Sequence, residues 1–268
     1  MKLDVRDLSF SYRNKTILND VNLTVESGNV IAILGKNGSG KTTFFKIITD
    51  IIKPKTGLVL FNGKEKTGLC MGIIEKPILY NDMCGLDNLK YYLGKEYNEK
   101  KVLEYADKWG FSELLYIKVS KYSPVMKQKL SLILSFSSNR EILIFDEPLD
   151  SLDEDSIDVF FECVTTAKRE NKIIIIATQI AYAINKYCDK MYELKYGRLY
   201  EYIPTGKEYK ITFSSTKKAQ EAANNIKDSI RVLITDDSII VSVDNDEISE
   251  VIKRVCDYNI IGVERKTV

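Results

Sequence analysis

The segment "GKNGSGKTT", residues 35–43, has the spacing G-x-x-x-x-G-K-T and stands between the apolar run "VIAIL" and the amphipathic "TTFFKIITDII". A strand, a loop and a helix in that order are the setting in which such a loop holds phosphate. Gly35, Gly38 and Gly40 let the backbone turn so that successive N–H groups point inward, and the following helix adds its positive N-terminal dipole. Lys41 then reaches the β- and γ-phosphates and Thr42 offers a hydroxyl to Mg²⁺, with Asn37, Ser39 and Thr43 completing the expected nucleotide-binding set.

A second segment, "ILIFDEPLDSLD" at 142–153, runs from four apolar residues straight into Asp146, Glu147, Asp150 and Asp153. A buried strand ending beside the phosphate loop delivers Asp146 to the metal through water. Glu147, one residue on, can orient or deprotonate an attacking water. Asp150 and Asp153 are explained equally well as acids of a solvated loop and a helix cap.

These residues need a sheet to place them. The runs "GNVIAILG" (28–35), "EILIFDEP" (141–148) and "KIIIIATQ" (172–179) are continuously apolar, as strands covered on both faces of a parallel α/β sheet are. The opening "KLDVRDLSFSY" and "TILNDVNLTVES" alternate instead, which predicts an antiparallel layer. From about Asp82 to Asn139 the pattern takes a helical period, in "LDNLKYYLG" and in "EKKVLEYADKWGF" closed by Gly110, so a helical subdomain is expected between two strands of one sheet. After "YIPTG" the order strand, helix, strand, strand, helix, strand predicts a small α+β, ferredoxin-like domain. The expected division is 1–205 for the nucleotide-binding domain and 206–268 for an accessory one.

Composition narrows the class. Lys and Arg total 39 against 38 Asp and Glu, so net charge offers no argument for nucleic acid or an anionic membrane surface. The five cysteines show no metal-like spacing and read as reduced core residues of a cytosolic chain. There is no histidine, which removes the commonest general base. No apolar run approaches a membrane span, so any work at a membrane calls for another chain to cross it.

Over residues 1 to about 203 the chain resembles the ATP-binding subunits of ABC transporters, which have a P-loop NTPase (RecA-like) core. The phosphate loop is similar to the family's Walker A and "ILIFDEP" to its Walker B, with Glu147 in the catalytic place; Ser151 to Asp153 resembles the D-loop. Tyr12 sits where the family places an aromatic residue that stacks on adenine. In "GIIEKPILYNDMCGLDNLKYY" Glu75 replaces the Q-loop glutamine, as in the exporters that protect bacteria against bacitracin and lantibiotics, and the resemblance gives it a metal-facing and catalytic place. The LSGGQ signature reads "YSPVM" here: Ser123 and Pro124 keep a helix start, with Ser123 facing the opposite subunit's nucleotide, but Val125 stands where glycine is expected. Gln179 occupies the place of the switch histidine; its amide can donate to a γ-phosphate oxygen but cannot carry charge or shuttle a proton.

The resemblance implies an ATPase with ATP and Mg²⁺ that pairs head-to-tail with a second ATP-binding subunit, itself or another chain. It implies a separate transmembrane permease, an exporter of peptide, lipid or antibiotic, on the cytoplasmic face of the cell membrane. Val125 and Gln179 imply slow or partner-dependent turnover, below the tens per second of a brisk enzyme. The alternative is a regulatory subunit that binds ATP and dimerises with little hydrolysis. A translation or DNA-repair role fits less well, since the chain has one nucleotide module and no sustained heptads.

Overall fold

The computed structural model describes residues 1–65, 70–73, 78–150, 152–179, 184–202, 207–226, 232–243 and 248–266. It divides into two compact units, Met1–Thr178 with Tyr187–Tyr202, and Gln179–Lys186 with Ile203–Val268.

In the first unit, β1 (Lys2–Tyr12), β2 (Lys15–Glu26) and β4 (Thr56–Phe61) form an antiparallel sheet in the order β2-β1-β4. A second sheet has the order β5-β6-β7-β3-β8-β9, from β3 (Val30–Leu34), β5 (Cys70–Ile73), β6 (Ile142–Asp146), β7 (Ile173–Thr178), β8 (Lys190–Lys195) and β9 (Arg198–Glu201). Its strands are parallel except for β9. Every residue of β3, β6 and β7 is buried, as their unbroken apolar runs require. Helix α1 (Lys41–Ile48) puts Phe44, Phe45, Ile47 and Ile48 between the two sheets, where they meet Leu3, Val5, Leu18 and Ile33.

The neighbours of β3 are β7 and β8, not β6: β7 separates the strand that leads into the phosphate loop from the strand that ends in Asp146. The two functional segments therefore meet through the converging C-terminal ends of alternate strands, where open α/β sheets form their ligand crevices.

The region expected to be helical contains α2 (Gly85–Leu93), α3 (Glu99–Lys108) and α4 (Pro124–Ser137). Asn98 caps α3 by accepting from the Lys101 N–H, and Gly110 follows it with φ +59°. Asn88, fully buried on α2, holds the incoming chain: it accepts from the Tyr80 N–H at 2.8 Å and donates to the carbonyls of Tyr80 and Cys84. Helix α5 (Glu154–Arg169) starts at Asp153, which accepts from the Ser156 N–H at 2.9 Å, so this acid is a cap.

In the second unit, β10 (Lys207–Phe213), α6 (Thr216–Ile226), β11 (Val232–Thr235), β12 (Ser238–Val243), α7 (Ile248–Val255) and β13 (Ile260–Lys266) form an antiparallel sheet ordered β11-β12-β10-β13. In local numbering this is 2-3-1-4, the ferredoxin-like arrangement of two split βαβ units. Ala219, Ala222, Ile226, Val251 and Val255 of the helices pack on Ile211, Phe213, Ile239 and Val241. The cysteines are not uniformly core residues: Cys163 is buried, but Cys256, past the end of α7, is exposed.

Candidate nucleotide site

The loop between β3 and α1 is built on two left-handed glycines, Gly38 at φ +78° and Gly40 at φ +108°, the latter being the N-cap of α1. A side chain at Gly35 would meet the Ser39 hydroxyl at 2.6 Å and the Leu194 carbonyl at 2.9 Å, so the loop passes too close to β8 to admit one. The Ser39 N–H donates to the Lys36 carbonyl at 3.1 Å, closing the turn. The Ser39 hydroxyl is buried with no protein partner, a donor left for something else.

Lys41 is only 6% exposed. Its ammonium donates to the Gly35 carbonyl at 2.6 Å and the Lys36 carbonyl at 3.4 Å, and pairs with Glu147 Oε1 at 3.1 Å. The Thr42 hydroxyl donates to Asp146 Oδ2 at 2.5 Å. The first two residues of α1 thus meet the two acids at the end of β6, each to each. Glu147 has φ +48°, a left-handed conformation unusual for a residue with a side chain, and its N–H donates to the Ala177 carbonyl at 2.9 Å. Burial raises its carboxyl above the ordinary range, against the pull of Lys41. Asp150 is raised as well, by burial and by the Asp146 charge, with Lys41 opposing.

These groups line a cavity of about 890 Å³. Lys36, Asn37, Gly38, Ser39, Gly40, Lys41, Thr42, Thr43, Asp146, Glu147 and Asp150 line it from the sheet side. Tyr122, Pro124, Lys127 and Gln128, at and just before the start of α4, also line it, as does Ile17 of β2. Ser123 caps α4, accepting from the Met126 N–H at 3.2 Å, and Val125 is the second residue of that helix. Neither Ser123 nor Tyr12 is among the lining residues. Tyr12 is 49% exposed at the end of β1, edge-to-face on Phe10 at 4.8 Å. Glu75 and Ser151 lie outside the described residues. Gln179 follows β7 directly and belongs to the second compact unit.

Sequence reasoning missed Ile17, Lys127 and Gln128. Lys36 and Tyr122 lie within the phosphate-loop and signature motifs and line the cavity as well. The signal for Lys127 and Gln128 was their place one helical turn after the Ser123 cap.

The donor set suits a nucleoside triphosphate with its metal: an ammonium, a spare hydroxyl, the N-terminus of α1, and a hydroxyl–carboxylate pair of hard oxygens. Among the described residues no cluster of three His, Cys, Asp or Glu could hold a metal by itself, so a cation here would need oxygens from the phosphates.

Residues 18–150 match the family model described as ABC transporter. The chain is 33% identical over 197 residues to the lantibiotic transport ATP-binding protein SrtF of Streptococcus pyogenes, covering 70% of this chain and 84% of that one. The chain belongs to the ABC transporter ATP-binding family. This ABC subunit is also 28% identical over 195 residues to the ABC transporter ATP-binding protein NatA of Bacillus subtilis, covering 67% and 78% of the two. A solved structure of the ATP-binding subunit of an ABC transporter superposes with a TM-score of 0.70 at 27% identity, over 74% of this chain and 88% of the other. The ABC subunit therefore binds ATP and is an ATPase of the P-loop class, and no helix among its described residues is long and apolar enough to cross a membrane.

Proposed function

We propose that this ABC subunit hydrolyses Mg²⁺-ATP to power a separate membrane permease that exports a peptide, lipid or antibiotic. The observation that carries the catalytic part is the double contact between the start of α1 and the end of β6: Lys41 with Glu147, and Thr42 with Asp146. The export part rests on the names of relatives such as the lantibiotic transport protein.

When bound, Mg²⁺ supplies positive charge at the phosphate oxygens; Thr42 and Asp146 would hold it, with Glu75 the third candidate. Lys41 and the loop N–H groups bind the triphosphate and orient it. Glu147, held in a left-handed turn, aims its carboxylate into the cavity and orders the attacking water. In this reading Tyr12 carries the adenine from its exposed place, Ser123 serves the opposite subunit of a head-to-tail dimer, and Gln179 stands in for the switch histidine as a neutral donor. Val125 places methyl groups in the first turn of α4, where N–H groups would approach phosphate, and slows turnover. Residues 1–205 form the nucleotide-binding part and 206–268 an accessory domain, and the subunit sits on the cytoplasmic face through its permease.

Val125 also favours a second reading, a regulatory subunit that binds ATP and barely hydrolyses it. Affinity purification from detergent-solubilised membranes of the native host separates the two. Co-purification of a polytopic protein that stimulates phosphate release supports the transporter. A soluble, ATP-loaded chain without a membrane partner supports the regulator.

A further inference from the structure

Glu147 is a residue with a side chain in a left-handed conformation, and such backbones persist only where surrounding contacts hold them. Besides the Lys41 pair at 3.1 Å, three hydrogen bonds hold the backbone of this turn. The Glu147 N–H donates to the Ala177 carbonyl at 2.9 Å, and the Asp150 N–H donates to the Glu147 carbonyl at 3.3 Å. The third comes from a distant part of the chain: the Gln128 side-chain amide donates to the Pro148 carbonyl at 3.3 Å. The first two are backbone to backbone within the sheet and its loop. The third ties the carboxylate's turn to the helical insertion.

The residue before Gln128 makes a matching tie on the other side. Lys127 donates to Asn81 Oδ1 at 3.3 Å, and the Asn81 carbonyl accepts from the Ser120 N–H at 2.9 Å. Asn81 belongs to the segment that opens the helical insertion, the stretch that Asn88 clamps at Tyr80. Two adjacent side chains in the first turn and a half of α4 thus join that segment and the Pro148 carbonyl. Both side chains line the cavity that holds Lys41 and Glu147.

We infer that Gln128 is a positioning residue for Glu147: its amide, donated to the Pro148 carbonyl, sets the turn that aims the carboxylate and makes that aim depend on the placement of α4. The inference rests on the proposed role of Glu147 as the residue that orders the attacking water. Gln128 itself takes no part in proton transfer. Its contribution is geometric, and displacement of a reacting group by an ångström costs up to about a hundredfold in rate.

The experiment uses the full chain beside Q128E, which keeps the size of the side chain but removes the donor, Q128A, which removes the donor without adding charge, and E147Q. Amide hydrogen exchange is followed over residues 146–150, and phosphate release and the KM for ATP are measured in Mg²⁺-ATP. Expected are faster exchange of the Asp150 and Glu147 amides in both Gln128 variants, a kcat lowered about ten- to hundredfold, and a KM within about twofold of wild type. Adding Q128A to E147Q should then lower the residual rate no further. Unchanged exchange at 146–150 overturns the inference, as does faster exchange with unchanged kcat, which would make Gln128 a structural prop only. Full turnover in E147Q would overturn the role of Glu147 and the inference with it. Loss in E147Q without loss in either Gln128 variant would overturn the inference alone.

Discussion

Lys41 is engaged by Glu147, and this has a consequence for affinity. The ammonium and the carboxylate lie 3.1 Å apart, with the side chains 6% and 20% exposed. A pair at such a distance attracts by about 5 kcal/mol at an effective dielectric near 20. Burial of the acid opposes that attraction and outweighs it in setting the direction of its shift. What an incoming group must displace at Lys41 is one charge-assisted hydrogen bond, worth about 1–2 kcal/mol. An incoming γ-phosphate must share or displace Glu147 at Lys41 and also approaches a like charge. Glu147→Gln removes both obstacles, so ATP should bind about 5- to 30-fold more tightly while turnover is lost. Lys41→Met should act the other way, weakening ATP by about 10- to 150-fold through the loss of a charge-assisted contact worth roughly 1.5–3 kcal/mol. Equilibrium titration with Mg²⁺-ATP, with thermal melts to confirm folding, reads both. An affinity of Glu147→Gln equal to or weaker than wild type would refute the competition.

Three further outcomes follow from the fold. Gly35→Ala forces a Cβ against Ser39 and the Leu194 carbonyl, so it should cost about 1–3 kcal/mol in urea unfolding and weaken ATP binding. Asn88→Ala leaves the Tyr80 N–H and two carbonyls without their buried partner, and a loss of about 2–4 kcal/mol is expected by the same measurement. Lys172 is buried, donates to the Ser138 carbonyl at 2.7 Å, and is pushed down to about 8 by burial and then by the Lys101 charge. The unfolded chain keeps that proton up to about pH 10.4, so it binds more protons than the folded chain between the two values and stability rises with pH there. Relative to Lys172→Met, the wild type should therefore gain stability from pH 8 to pH 10, and urea midpoints across that window check the sign.

What could be read from the chain alone was what is local along it. The phosphate loop is nine consecutive residues, and the acids follow their strand directly, so motif and apolar pattern sufficed. The order of the six-stranded sheet was not local: nothing in the run "KIIIIATQ" says that β7 enters between β3 and β6. The far wall of the cavity was hidden for the same reason. Gln128 meets Pro148 across twenty residues of sequence: its place about one turn after the Ser123 cap is local, but its reach to a loop carbonyl is not. Ile17, on the same hairpin as Tyr12, lines the cavity, and nothing in the alternating pattern of that hairpin singles it out. The cysteines failed as a class because burial is decided residue by residue: Cys163 faces the core of α5, whereas Cys256 follows the last buried turn of α7.

The most direct test of the central claim is phosphate release by the full chain in Mg²⁺-ATP, beside Glu147→Ala, with bound nucleotide quantified in both. Slow release, below about ten per second, that disappears with Glu147 while ATP remains bound is the predicted result. Release at the same rate in Glu147→Ala would contradict the site as described.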